Sequence, residues 1–226
     1  MLMIEVGELK NTFSGRQPLV WTKGTIRDFV HELFEHRSSQ SLERGKFGRL
    51  FTARNLALIA GFRVELTTNL ADHLLFRDSD KTVMIFHHAT FLSHQLGNPI
   101  FPPDFVAETL STLALLFPEN DTASRKWYRK QGGRGELDMA VLKCRSGHRK
   151  TRLEEYHYWY DRLLILKEEF DEARPTTIAQ WWNDRRDGIQ WYSLWIVMGL
   201  TLFFGLVQSI EGAMQVYQGM KSSDGA

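Results

Sequence analysis

Apolar residues fall along this chain in three rhythms, and each rhythm predicts a different element. Ile26, Phe29, Val30, Leu33 and Phe34 recur at spacings of three and four with polar residues between them, the period of a helix with one buried face. A helix is expected over 25–37, followed by a polar, Gly-containing joint over 38–48. Residues 50–60 predict a second helix that stops at Gly61, a natural left-handed position just past a helix end. The period then drops to two. Phe62, Val64 and Leu66 alternate with Arg63, Glu65 and Thr67, as in a half-buried strand. Residues 82–86 are apolar and β-rich, which suits a strand covered on both faces.

Further elements follow from turn and cap residues. A short strand is expected over 2–6. Thr68 or Asn69 is placed to cap a short helix through Phe76, with a turn at Asp78-Ser79-Asp80. Residues 88–96 return to helix, and the pairs Asn98-Pro99 and Pro102-Pro103 mark a loop. Asp104 is the expected cap of a helix whose Phe105, Leu110, Leu113, Leu116 and Phe117 belong to the core and which ends before Pro118. A long helix is predicted over 153–172, with Tyr156, His157, Tyr160, Leu163, Leu164 and Phe170 on one side and Pro175 as its breaker. Thr176 then caps a short helix carrying Trp181 and Trp182, able to lie at a headgroup surface.

The third rhythm has no polar beat. Residues 188–210 run for twenty-three positions without a charge, roughly 34 Å as a helix against a hydrocarbon core of about 30 Å. Trp191, Tyr192 and Trp195 crowd its start and Tyr217 stands beyond its end, where amphipathic rings settle at headgroup level. A buried core helix is the alternative, but such helices usually run about 10–14 residues. The expected fold is therefore α+β and mainly helical: a small strand-containing soluble domain over 1–187, a transmembrane helix over 188–211, and a short tail over 212–226. Arg174, Arg185 and Arg186 precede the span and only Lys221 follows it closely, which predicts a cytosolic head. The first residues carry no basic and apolar leader, so the expectation is a tail-anchored protein, of the endoplasmic reticulum rather than the outer mitochondrial membrane.

Composition adds limits. A net charge of +1 over 226 residues excludes a chain that is basic throughout. The single cysteine, Cys144, forbids an internal disulfide and fits a reducing compartment. Charge is nevertheless uneven: residues 125–152 hold ten Lys or Arg against Glu136 and Asp138. Arg125, Lys126, Arg129, Lys130, Arg185 and Arg186 are candidate contacts for anionic lipid headgroups. A solvated face is the plain reading of the same block. Trp127 and Tyr128 are placed to stack on bases, although nucleic acid is the disfavoured partner.

Catalytic motifs are missing. His87-His88, His94 and Asp72-His73 lack the i, i+4 spacing of a helical zinc site, and Gly132-Gly133-Arg134-Gly135 lacks the spacing of a phosphate loop. The histidines read as structural, with no metal and no cofactor expected. Within the span, Gly205, Ser209 and Ala213 recur every four residues, a stripe that allows two helices to approach closely as a homodimer. Gly199 joins Trp191, Tyr192, Trp195, Gly205 and Ser209 as the residues that define the membrane segment.

Several runs carry a resemblance. Tyr158-Trp159-Tyr160-Asp161-Arg162-Leu163, Phe170-Asp171-Glu172-Ala173, Gln180-Trp181-Trp182-Asn183-Asp184-Arg185-Arg186, Gln190-Trp191-Tyr192, Phe204-Gly205 and the run from Gln208 to Val216 together resemble a family of filamentous-fungal proteins. Asn69-Leu70-Ala71-Asp72-His73-Leu74, Ile85-Phe86-His87-His88 and residues 109–118 resemble it too. The resemblance implies a soluble head, one C-terminal span and a fungal source; it carries no activity and no catalytic residues. Two functions remain in view. One is a non-enzymatic, membrane-anchored adaptor that recruits a protein partner or lipid. The other is a membrane-attached accessory enzyme of fungal secondary metabolism, with a pocket between the 62–88 strands and the 153–172 helix lined by His73, His88 or Cys144.

Overall fold

A computed structural model of the protein describes residues 3–4, 19–21, 23–34, 44–132, 137–143, 150–173 and 188–223, with side chains over 192–215 in the last stretch. The chain divides into two compact units, Met1–Trp181 and Trp182–Ala226. The first is α+β and mainly helical; the described part of the second is one helix. This is the fold class that the hydrophobic pattern predicts.

The first unit begins with α1, Ile26–Leu33, shorter than expected but capped as its sequence invites. Thr25 accepts from the Asp28 N–H at 3.2 Å, and Asp28 accepts from the Thr25 N–H at 3.1 Å, satisfying two of the donors that a helix start leaves unpaired. Helix α2, Ala53–Leu58, is capped by Thr52, and Gly61 beyond it has φ +74°, the left-handed geometry glycine adopts without strain.

Three strands follow: β1 Arg63–Thr67, β2 Leu75–Arg77 and β3 Thr82–Phe86. Their order is β1-β3-β2, with β3 parallel to β1 and antiparallel to β2. The central β3 is the covered strand, with Val83, Ile85 and Phe86 fully buried. Strand β2 replaces a predicted helix. Asn69 does cap a turn, accepting from the Ala71 N–H at 3.2 Å, but that turn is a 3-10 turn ending at Asp72. Leu74 takes φ +59° and donates its N–H to Met84 at 2.7 Å. The open edge of β3 captures this segment, a tertiary pairing that overrides local preference.

Helix α3, Ala89–His94, leads through the proline loop to α4, Phe105–Leu116. Eleven of the twelve α4 residues are buried, so it has no solvent face. It is the hub of the unit. Asp104 precedes it with φ +62° and makes no capping bond, contrary to the cap expected there. Pro118 ends it as predicted.

The basic segment, expected only as a solvated face, contains regular elements among its described residues. Its first part is α5, Thr122–Gln131, whose N-cap Asp121 accepts from the Ala123 and Ser124 N–H groups. A 3-10 turn at Met139–Lys143 follows. The long helix predicted from residue 153 begins only at Tyr160; α6 is Tyr160–Glu172, preceded by a 3-10 turn at Leu153–Glu155. Tyr160, Leu163, Leu166 and Phe170 line its buried face, Leu164 packs half-buried against the same core, and His157 is exposed, contrary to expectation.

The second unit contains α7, Gly188–Ser223, thirty-six residues long. Within it Tyr192–Gln215 is, among the described residues, the one helix long and apolar enough to cross a membrane. Its apolar side chains point outward: Leu202 is 67% and Leu206 63% exposed. Thr201 and Ser209 return their hydroxyls to the carbonyls of Val197 and Gly205, each at 2.8 Å, which removes most of the cost of a hydroxyl in an apolar medium. The short helix expected over 176–186, most of the strand expected over 2–6, and most of the joint over 38–48 lie outside the described residues.

Candidate functional site

The polar groups worth explaining are those the core has swallowed. Glu108 sits on the wholly buried α4 with only 4% of its surface exposed. Its carboxylate accepts three main-chain N–H groups from the segment before α6: His157 at 2.8 Å, Tyr158 at 2.8 Å and Trp159 at 2.9 Å. Helical geometry would have turned these N–H groups toward carbonyls four residues back. The carboxylate takes them instead, which is why α6 cannot start until Tyr160. Bonds to an ionised acceptor are about twice as strong as neutral ones, so a single side chain outweighs the helix propensity of the 153–159 stretch.

A second line of polar contacts runs beside the first. The Trp159 indole N–H donates to the Thr109 hydroxyl at 2.9 Å, and that hydroxyl donates to the Phe105 carbonyl at 2.9 Å. The Thr112 hydroxyl donates to the Thr109 carbonyl at 2.6 Å, which leaves its oxygen to accept from Nε2 of His73 at 2.6 Å. Nδ1 of His73 accepts from the Phe86 N–H at 3.1 Å. Both ring nitrogens are thus used by a neutral imidazole protonated on Nε2. Burial, with the Arg162 charge nearby, pushes its pKa down to about 3. His73 is a structural histidine, as the sequence suggests.

Arg162 closes the arrangement. It donates to the carbonyls of Ala71 at 2.9 Å and His73 at 2.6 Å, and its guanidinium lies 5.3 Å from the centre of the Trp159 ring. Burial lowers its pKa to about 10, still charged at neutral pH. Trp159 itself meets His73 edge-on at 4.8 Å. The space between the strands and α6, where the accessory-enzyme expectation placed a pocket, is occupied by Trp159, His73 and Arg162.

Of the other histidines the sequence offers as ligands, His87 and His88 lie ring to ring with centroids 4.2 Å apart, and His87, His88 and His94 are each also held by a contact of their own. Nδ1 of His87 lies 3.1 Å from the Thr67 carbonyl and Nδ1 of His94 lies 2.7 Å from the Thr90 carbonyl. The His88 ring packs edge-on against Phe86, and desolvation, with His87 beside it, lowers its pKa. Among the described residues no group of three His, Cys, Asp or Glu side chains is placed to hold a metal ion. Cys144 lies outside them.

The cations of α5 occupy a real face. Ser124 and Tyr128 are buried, while Lys126, Arg129 and Lys130 are exposed and Arg125 is half-buried. The Tyr128 hydroxyl donates to the Asp138 carbonyl at 3.0 Å; with Trp127 half-buried against the core, these rings hold the helix down rather than offering themselves to bases. Arg185, Arg186 and the Trp191 side chain lie outside what is described, whereas Tyr192, Gly199, Gly205 and Ser209 are exposed along α7 and Trp195 is half-buried. Glu108 is absent from the sequence expectations, and Thr112, Trp159 and Arg162 enter them only as members of the runs that carry the resemblance. The only signal for Glu108 is that it is the one charged residue of α4. Comparison with known protein families, with curated proteins and with solved structures found no match.

Proposed function

We propose that this is a single-pass membrane protein: α7 crosses the bilayer, and the α+β unit is displayed at the membrane face as a non-enzymatic recruitment module. One observation carries the reading. Tyr192–Gln215 is long enough to span, and its apolar side chains are exposed, whereas the core helix α4 is twelve residues long and buried on every side. Exposed apolar surface on this scale in water would drive association, at about 25 cal/mol for each Å² left uncovered. Lipid is the solvent that removes this penalty.

The finer parts of the proposal rest on the flanking charges. Arg174, Arg185 and Arg186 before the span, against Lys221 after it, favour a cytosolic first unit, and the endoplasmic reticulum is the membrane we favour. Recruitment of a protein partner or lipid, rather than catalysis, is supported by a core whose buried histidine has both nitrogens bonded and faces tryptophan instead of a cavity. The fungal resemblance supports the same plan of head and span.

Alkaline extraction of membranes carrying the full chain tests the span: retention with the lipid is expected, and release into the supernatant overturns the proposal. The sequon Asn120-Asp121-Thr122, exposed at Asn120, tests orientation. It stays unglycosylated on the cytosolic side, and a glycan there reverses the topology.

A further inference from the structure

Helix α5, the Met139–Lys143 turn and Glu119 border an open pocket of about 700 Å³ lined by Glu119, Arg125, Arg129, Met139, Leu142 and Lys143. Three cations against one carboxylate make it electropositive, and α5 carries Lys126 and Lys130 besides, with no acidic residue along its length. We propose that this pocket and the outer face of α5 form a docking surface for an anionic lipid bilayer, taking a phosphate-bearing headgroup between Arg125, Arg129 and Lys143. The proposal rests on the membrane reading above, since a chain anchored by α7 keeps the first unit at high effective concentration near headgroups.

Three features argue for lipid over another polyanion. Met139 is 40% exposed at the rim of the pocket, an apolar group beside cations, as at interfacial binding faces. Of the two rings that a single-stranded nucleic acid would stack on, Tyr128 is wholly buried and Trp127 is half-buried against the core. The pocket wall is also held in place before any ligand arrives. Asp138 accepts from the Thr90 N–H at 2.6 Å, the Thr90 hydroxyl at 2.8 Å and the Ala140 N–H at 2.9 Å, while Tyr128 donates to the Asp138 carbonyl. A fixed wall keeps the ordering cost of docking low.

The test uses the full chain in nanodiscs of phosphatidylcholine, with or without phosphatidylserine. An environment-sensitive dye is placed at position 139 by Met139→Cys in a Cys144→Ser background. A blue shift is expected only with phosphatidylserine, and high salt should reverse it. Arg125→Glu/Arg129→Glu/Lys143→Glu should abolish it. The milder Arg125→Gln/Arg129→Gln/Lys143→Gln should weaken docking about a hundredfold, at about fivefold per cation, with the far-UV spectrum unchanged. Emission that ignores lipid charge overturns the proposal. So does a shift produced by an RNA oligonucleotide in neutral discs but not by phosphatidylserine. Failure of the chain to co-elute with discs of either kind is a different result: it removes the span itself.

Discussion

Replacing Glu108 by alanine should be the most damaging single change in the first unit. It removes the acceptor for three N–H groups at 2.8, 2.8 and 2.9 Å. The costs are not equal. His157 is exposed, so water can replace its partner, while Tyr158 is half-buried and Trp159 buried. Stranding a buried donor costs about 1–3 kcal/mol, and the bonds lost are charge-assisted. Two stranded donors and the void left on α4 give about 3–5 kcal/mol together. That is a large share of the roughly 5–15 kcal/mol by which domains are stable. Glu108→Gln keeps one acceptor oxygen but points an amide N–H₂ at a donor, and should lose about 2–3 kcal/mol. Urea unfolding of the full chain in neutral detergent micelles, followed by near-ultraviolet circular dichroism, reads both values. A loss below about 1 kcal/mol for Glu108→Ala would refute the claim that this carboxylate organises the start of α6.

Other outcomes follow from the same structure. His73 has a folded pKa of about 3, below its ordinary 6.5, so the unfolded chain takes up a proton that the folded one refuses. Stability is therefore full above about pH 6.5 and falls as pH drops toward 3, by about 2 kcal/mol at pH 5; a His73→Gln protein should show a flatter urea-midpoint profile, and identical slopes would contradict the neutral buried ring. Gly61 has φ +74° and Lys81 φ +49°, so Gly61→Ala should lower the unfolding free energy read from urea titration by about 1 kcal/mol while Lys81→Gly is neutral or stabilising by a few tenths. Gly205→Leu adds a side chain where nothing lies within 4 Å. It should leave the single helix intact and abolish any self-association through the Gly205, Ser209 and Ala213 stripe; an unchanged membrane two-hybrid signal excludes that stripe as an interface.

What could be read from the sequence depended on how local its cause was. The Gly61 stop, β3 and the long apolar helix near the C-terminal end are all set by local residues, and all appear close to where expected. Strand β2 was missed because three residues leave no periodicity, and only the edge of β3 tells them apart from a helix. Helix α5 was hidden by its charge: Asp121 is a good cap, but a run of cations with glycines after it reads as a flexible surface. The break before α6 had no local signal at all. Its cause, Glu108, lies 49 to 51 positions earlier. The candidate site shared this fate, since Thr112, Trp159 and Arg162 look like ordinary helix and aromatic residues until the fold brings them to His73.

That separation also sets an order of events during synthesis. While the ribosome is still making α5, the buried side of α4 has no lid, and the Glu108 carboxylate has nothing to hold. Closure waits for residues 157–159 and the α6 leucines, and only residues 173–187 intervene before α7 begins to appear. A nascent chain of this protein thus offers two oily surfaces to the cell in quick succession, one that its own later residues will cover and one that they will not. A variant slow to seat Glu108 would expose both at once, and chaperone capture should rise in such a variant before any loss of the finished protein's stability is measurable.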